Sequence, residues 1–282
     1  MIADQKDFMT PHITDSHTLD YPCLHSGFVC EYELPHWNPI HIGRFALDIS
    51  PTRHVVMLWI AALLCIITTL LALRAHNRRT REGKAPGGFG NGLEALVLYL
   101  RNEVVLPNVG PHGNGYVPFL LTLFFFILFA NLLGLVPYGS TATGNISVTA
   151  TLAIVTFIVI ELAGMKAQGK AYINTIIFWP HDMSLGMKLF ISPILTPIEL
   201  IGKFTKPFAL AIRLFANMTA GHIVLLALVS LIFTFGSWFM VPVPILMGVA
   251  ISVLELFVAF LQAYIFTLLS SVFIGLIREG AH

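Results

Sequence analysis

Five stretches of the chain are uncharged or nearly so, and each is long enough to cross a lipid bilayer. They are residues 55–73, 117–138, 146–164, 207–235 and 242–277. At about 1.5 Å per residue, roughly 20 apolar residues in a helix span a hydrocarbon core of about 30 Å. The last two stretches exceed a perpendicular crossing, so we expect a long, tilted C-terminal helix hairpin. The pattern predicts an all-α integral membrane protein with five transmembrane helices.

Two segments between these stretches are more polar and predict helices at the membrane surface. Apolar positions in residues 91–106 recur at helical spacing with charged residues between them, which is typical of an interfacial helix. Residues 165–206 are rich in lysine, and we expect prolines to prevent one regular helix through them and into the fourth stretch. These prolines are Pro193, Pro197 and Pro207.

The distribution of basic residues predicts the orientation of the chain. Arginines and a lysine follow the first stretch directly, whereas the turns predicted at residues 139–145 and 236–241 contain neither residue type. Basic loops stay in the cytoplasm, so the N-terminus is predicted outside and the C-terminus inside. The predicted regions are an outer arm (1–54), a first span (55–73), a cytoplasmic loop (74–116), a hairpin (117–164), cytoplasmic interfacial helices (165–206) and the long hairpin (207–282).

Composition excludes a water-soluble body. The chain is 56% hydrophobic and 11% charged, against about 25% charged in an ordinary soluble domain. Its N-terminal arm holds Cys23, Cys30 and several histidines. The cysteine spacing leaves pairing open, and the histidines lack regular ligand spacing, so we favour a solvated, flexible arm and predict no metal site.

No motif indicates covalent chemistry. Residues 164–170 match the spacing of a phosphate-binding loop, but Ala171 stands where Ser or Thr should ligate magnesium, and the segment leaves a membrane helix rather than a strand. No Ser-His or Asp-Asp set is predicted at one depth. We therefore expect no catalytic residue, no cofactor and no binding to nucleic acid.

The informative residues are ionisable groups at membrane depth. An arginine such as Arg213 costs about 2.5–3.5 kcal/mol at the middle of a membrane helix, which favours a functional role over snorkelling to the inner surface. In an antiparallel hairpin of the last two stretches, His222 lies level with Glu255, and Arg213 lies level with Gln262. Asn217 shares the helix face of Arg213, whereas His222 points the opposite way.

These two pairs of polar residues at matched depths predict an aqueous path from the outside. A lone buried His or Glu is often a satisfied structural group, but His222 and Glu255 at one depth favour a proton path on the outer side of Arg213. On the inner side, Glu199 lies near the face of Arg213, and Glu161 lies near the inner end of the third span. They predict an inward-opening path, or alternatively interfacial carboxylates, with Glu199 near Lys203.

The residues around Arg213 resemble those of a known family. Residues 213–222 read RLFANMTAGH, and the chain resembles subunit a of the F-type ATP synthase membrane sector from about residue 55 to residue 278. Supporting motifs are NLLGLVP at 131–137, PIEL at 197–200 and LQAYIF at 261–266. The resemblance implies a non-catalytic stator in a bacterial inner membrane, beside a rotating ring of subunit c. It also implies contact with the subunit b stalk and other ATP synthase subunits, with lipid, and with protons or Na⁺.

The resemblance further implies roles for the polar residues. Arg213 matches the family's essential arginine, which separates two half-channels and faces the ring. The positions that match half-channel residues are Asn217, His222, Glu255 and Gln262 on the outer path and Glu199 on the inner path. Gly134 departs from the pattern, because some relatives carry a carboxylate there. The alternative function is an ion-coupled secondary transporter, but such proteins contain an internal repeat that we do not find.

Overall fold

The computed structural model describes residues 15–21, 30–37, 40–42, 45–48, 50–81, 88–111, 113–136, 139–172, 185–235 and 241–279. Its contacts divide the chain into two compact units. The first comprises Met1–Leu70, Phe125–Val148 and Leu214–Gln262, and the second comprises Leu71–Phe124, Thr149–Arg213 and Ala263–His282.

Helices dominate the described residues. They are α1 (Arg53–Arg81), α2 (Phe89–Tyr99), α3 (Val117–Leu135), α4 (Ile146–Gln168), α5 (Leu185–Phe235) and α6 (Pro242–Glu279). Within the described residues, five stretches are long and apolar enough to cross a membrane, and they lie in α1, in α3 with the turn before it, and in α4, α5 and α6. The predicted all-α membrane fold with five spans is confirmed.

Helix α5 differs from its prediction. It runs without a break from Leu185 to Phe235, with Pro193, Pro197 and Pro207 inside it. The expectation that these prolines interrupt the helix was wrong. Proline removes one backbone hydrogen bond and strains the turn before it, a cost of about 3 kcal/mol, but membrane helices tolerate it where neighbouring groups satisfy the freed carbonyl.

Residues 91–106, predicted as an interfacial helix, are helical, but the helical pitch changes along them. Helix α2 continues into a π-helical segment, Leu100–Val105, and ends in an α-helical turn, Leu106–Val109. Leu100, Val104 and Val105 are buried in the π-helical segment. Leu100 and Val104 are four residues apart and would share a face in a regular helix too, so the wider turn chiefly brings Val105 to that face.

The N-terminal arm contains short strands in place of a flexible coil. Strand β1 (Thr18–Tyr21) pairs antiparallel with β2 (Cys30–Glu33), and β3 (Ile40–Ile42) pairs antiparallel with β4 (Phe45–Leu47). Cys23, the partner considered for Cys30, lies outside the described residues. Among the arm and helix residues that the structure describes, no group of three metal-ligating side chains comes together.

A short hydrogen-bonded link joins the end of the arm to the start of α1. The Ser50 hydroxyl and backbone N–H donate to the Asp48 carboxylate over 2.6 Å and 2.9 Å. These hydrogen bonds lower the pKa of Asp48, because they stabilise its charged form. The same hydroxyl contacts the backbone of Trp37.

The core of the second unit is apolar. Val105, Val109, Val117, Leu120, Ile160, Ala163 and Ile274 form one buried cluster. Gly275 lies so close to the Asn108 carbonyl that a Cβ there would overlap it. Arg278 donates to the carbonyls of Val109 and Pro111, each over 2.7 Å. The C-terminal end of α6 is thus fixed to the segment after α2.

Candidate functional site

Arg213 lies exposed on α5, within a stretch that is apolar enough to span a membrane. Leu210, Ala211 and Leu214, which are near it along the same helix, are buried. Among the side chains that the structure describes, no carboxylate lies within ion-pair distance of Arg213. Burial of its apolar neighbours therefore fixes the guanidinium on a surface, where it is available to another molecule.

Asn217 and Gln262 form a direct hydrogen bond. The Asn217 side-chain amide donates to Oε1 of Gln262 over 3.1 Å. Gln262 is 1% exposed, and its own Nε2 has no hydrogen-bond partner among the described residues. Gln262 was predicted level with Arg213, and its observed hydrogen bond is to Asn217, one turn further along α5.

Glu255 lies against Gly221, the residue before His222. A Cβ at position 221 would collide with the Glu255 carboxyl group, so only glycine admits this carboxyl group in the position it occupies. Glu255 is half-buried, and its Oε2 is buried without a hydrogen-bond partner in the described part of the chain. Direct contact between His222 and Glu255 stays a prediction, while their common depth agrees with this packing.

His222 lines a small cavity of about 20 Å³. Such a volume holds about one water molecule when polar groups line it. The lining includes Ser140, Thr219 and a histidine of α1, His54. The Ser140 hydroxyl lies 3.1 Å from Nδ1 of His54, and Thr219 donates to the Gly144 carbonyl over 3.3 Å. His222 therefore lies beside a polar pocket instead of on the exposed face of Arg213.

Asn131 connects three segments of the first unit by hydrogen bonds. It is fully buried on α3, where its amide donates to the Ala259 carbonyl over 3.3 Å. Its Oδ1 accepts a hydrogen bond of 2.7 Å from Thr143. One side chain thus connects α3, the turn before α4, and the segment of α6 between Glu255 and Gln262.

A second cavity, of about 90 Å³, brings Glu161 and Glu199 together. Lys203, which also lines it, lies 3.7 Å from Oε2 of Glu161. The same ammonium lies 3.4 Å from the Tyr172 hydroxyl and 4.8 Å from the centre of the Tyr172 ring. This cavity has room for a few water molecules, and both predicted inner carboxylates border it.

The structure also explains the departure at Gly134. A Cβ on this residue would collide with the side chain of Thr141. The tight packing of α3 on the turn before α4 therefore leaves no room for a carboxylate at this position. In this chain the second span contributes Asn131 to the site, and not an acid.

His54, Asp15 and Ser140 were not predicted as members of these sites, and Lys203 was predicted near Glu199, whereas its ion pair is with Glu161. His54 directly precedes the first apolar stretch, so it was assigned to the arm. An ionisable residue at the very end of a span was the available signal. The sequence gives no such signal for Asp15 and Ser140, because tertiary contacts alone bring them to His54.

Comparisons with known proteins agree on one family. A family model described as ATP synthase A chain matches residues 55–275. The chain is 47% identical over 290 residues to an ATP synthase subunit a from Myxococcus xanthus, covering 95% of this chain and 92% of the relative. It is 46% identical over 265 residues to one from Chloroherpeton thalassium, covering 94% and 74%. A protein named ATP synthase subunit a from Anaeromyxobacter dehalogenans is 42% identical over 281 residues, with 96% and 71% covered. The exposed arginine, the polar groups around it and these matches lead to one conclusion: the chain is a multi-pass membrane protein of the ATP synthase A chain family.

Proposed function

We propose that this chain is the non-catalytic stator subunit of an F-type ATP synthase membrane sector. It forms two half-channels that carry protons to and from a carboxylate on a rotating ring of subunit c. The observation that carries the proposal is the exposed Arg213 in a membrane-spanning stretch. A guanidinium there is costly unless an acid pairs with it, and the described residues offer none.

The surface around Arg213 suits a close-packed helical partner. Helical spacing puts Ala216, Asn217 and Ala220 on its face, and all three are exposed. Small residues let the backbone of a second membrane helix approach closely. A ring of helical hairpins, each with one carboxylate at the depth of Arg213, fits such a surface.

The outer half-channel uses the polar groups of the first unit. The cavity beside His222 has room for water, and the half-buried Glu255 has a carboxyl oxygen that no described donor satisfies. Water or a transferable proton satisfies such a group. The hydrogen-bonded Asn217 and Gln262 continue the polar lining.

The inner half-channel uses the cavity of the second unit. Glu161 and Glu199 border about 90 Å³, with Lys203 beside Glu161. A proton released on this side meets two carboxylates that can accept it, with the Lys203 ammonium beside one of them. Protons, and not Na⁺, fit these groups best, since imidazole and single carboxylates bind protons without a cage of oxygen ligands.

Arg213 couples flow to rotation through electrostatics. Its fixed positive charge favours the ionised form of a passing ring carboxylate, which must bind a proton before it turns into lipid. The guanidinium itself transfers no proton, because an arginine side chain is not deprotonated in proteins. It thereby keeps the two half-channels separate. Each elementary charge that crosses about 100 mV supplies roughly 2.3 kcal/mol for rotation.

The partners and location follow from this role. The ring of subunit c faces Arg213, the subunit b stalk holds the chain in place, and the other ATP synthase subunits complete the complex. The setting is a bacterial inner membrane, with the N-terminal arm outside and the C-terminus of α6 in the cytoplasm. Lysines and arginines at the predicted inner ends of the spans support that orientation.

Removal of the Arg213 charge tests the proposal. In vesicles that carry the assembled complex, Arg213→Ala should abolish ATP synthesis and let protons leak through the membrane sector. Arg213→Lys should not restore full coupling, because lysine lacks the planar fork of donors and can deprotonate when buried. Arg74→Ala, a change at an exposed arginine of α1, is the matched control and should leave both rates unchanged.

An Arg213→Ala complex that assembles with its ring and still makes ATP at a near-normal rate would refute the mechanism. Assembly is checked by the presence of ring and stalk subunits in the purified complex. Proton uptake and ATP synthesis are measured on the same vesicle preparation, so that leak and loss of assembly are separated.

A further inference from the structure

A buried histidine outside the predicted path lies between the N-terminal arm and the cavity of His222. His54 is 4% exposed at the start of α1. Its Nε2 lies 3.7 Å from Oδ1 of Asp15, and its Nδ1 lies 3.1 Å from Oγ of Ser140. Each ring nitrogen therefore has its own polar neighbour, a carboxylate in the arm and a hydroxyl in the turn before α4.

Asp15 connects this histidine to the aqueous phase. Its side chain is 30% exposed, against 5% for His54. The carboxylate is held in place because it also accepts a hydrogen bond of 3.4 Å from the backbone N–H of His54, and the Arg53 backbone N–H donates to the Ser16 carbonyl over 2.9 Å. The arm thus carries a water-accessible acid to a buried imidazole.

Beyond Ser140, the polar groups continue to His222. Ser140 is 3% exposed, and the cavity of about 20 Å³ that it lines is also lined by His54 and His222. Ser140, His54 and His222 thus border one cavity, which has room for about one water molecule.

We propose that Asp15, His54 and Ser140 form the outermost steps of the outer half-channel, and that His54 carries protons from the arm to His222. The inference rests on the proposed function, because it adds a segment to that half-channel. It assigns a part in proton transfer to the N-terminal arm, which lies outside the family match at residues 55–275.

The transfer balances in protons and charge. A proton from the aqueous side, passed by the Asp15 carboxyl, binds at Nε2 and forms an imidazolium. The Nδ1 proton then moves to the Ser140 oxygen while the hydroxyl proton passes to the cavity water and on to His222. One proton has entered and one has left, and the neutral ring resumes its first tautomer by exchange with water. Histidine suits the step, because its ordinary pKa lies near physiological pH.

Substitution at His54 in the assembled complex tests the inference. His54→Ala removes the imidazole, and His54→Gln keeps hydrogen-bonding groups but cannot carry a proton. Both should lower proton uptake about tenfold, less than the 10²–10⁴ typical of general acid–base groups, since water carries part of the flow. Added imidazole should restore uptake in His54→Ala. Thr69→Ala, at an exposed site on the same helix, should behave as wild type.

The possible results distinguish a failure of the His54 step from a failure of the proposed function. Normal uptake by His54→Gln would overturn the inference while leaving the stator role intact, and this variant decides the matter if His54→Ala does not assemble. Uptake that imidazole fails to restore in an assembled His54→Ala complex would assign a structural role to the ring. A wild-type complex that moves no protons would overturn the proposed function, and this inference with it.

Discussion

At the scale of single residues, glycines decide where the site's side chains lie. Gly221 and Gly134 each lie where any Cβ would collide with a neighbour, the Glu255 carboxyl group at one and the Thr141 side chain at the other. Gly202 on α5 and Gly248 on α6 have open space around them. The close approach is therefore local, and it holds Glu255 at the depth of His222.

Gly221→Ala should displace the Glu255 carboxyl group and slow proton uptake. The added methyl group occupies the position of that carboxyl group, and a shift of about 1 Å in a reacting group costs up to a hundredfold in rate. We expect a loss of at least about tenfold in vesicles that carry the complex. Gly248→Ala on α6 is the matched control and should keep the wild-type rate, because nothing lies within 4 Å of its new Cβ.

A second substitution separates displacement of Glu255 from general disruption of the hairpin. Gly221→Ala combined with Glu255→Asp shortens the acid by one methylene group and should recover part of the lost uptake. If Gly221→Ala alone moves protons at the wild-type rate, the position of the Glu255 carboxyl group is not important for the path.

At the scale of elements, α4 and α5 meet through the ion pair of Glu161 and Lys203. Their side chains are 20% and 12% exposed, and the two charged atoms are 3.7 Å apart. Fully exposed pairs contribute about 0–1 kcal/mol, whereas breaking a buried pair costs about 3–5 kcal/mol. This partly buried pair falls between those limits.

Lys203→Met should therefore destabilise the chain by about 1–3 kcal/mol, because it leaves the Glu161 carboxylate without its ammonium partner. The double change Lys203→Met with Glu161→Gln should recover most of that loss. The measurement is the midpoint of thermal unfolding in the solubilised complex, with the exposed Lys166→Met as control. A double variant no more stable than Lys203→Met would contradict the pairing.

The elements differ in how far sequence predicts them. Hydrophobic length located all five spans, because burial in lipid imposes one strong constraint along each of them. The continuous α5 was not predicted, since proline statistics from soluble helices overstate the break in a membrane helix. The strands of the arm were also missed, because each is only three or four residues long, too short for its alternation of polar and apolar side chains to stand out.

Helical spacing alone allows the relative depths of side chains on two antiparallel helices to be predicted. The match of His222 to the depth of Glu255 agrees with the contact between Gly221 and Glu255. The hydrogen bond between Asn217 and Gln262 was not predicted, because the exact level of a hairpin depends on its turn, which sequence does not fix. His54 and Ser140 came together only through tertiary contact.

At the scale of the whole molecule, the proposed function requires that the ionisable groups divide into two sets, one for each half-channel. His54, His222 and Glu255 belong to one compact unit, and Glu161, Glu199 and Lys203 belong to the other. His54 and His222 line one cavity, and Glu161, Glu199 and Lys203 line another. Two half-channels, as proposed above, would require two such separate groups.

The orientation of the chain decides which set of groups takes protons up, and cysteine labelling tests it. In a background without Cys23, Cys30 and Cys65, a charged, membrane-impermeant thiol reagent should label Ser147→Cys and Val241→Cys from outside intact cells. Ser147 precedes most of α4 and is exposed, and Val241 directly precedes α6. Lys166→Cys and Glu279→Cys, exposed near the opposite ends of the same helices, should react only in inverted vesicles. The physical reason is the excess of lysine and arginine on one side of the spans, which keeps that side in the cytoplasm. Labelling of Val241→Cys only in inverted vesicles would reverse the orientation of α6, and the groups assigned to the outer half-channel would then face the cytoplasm.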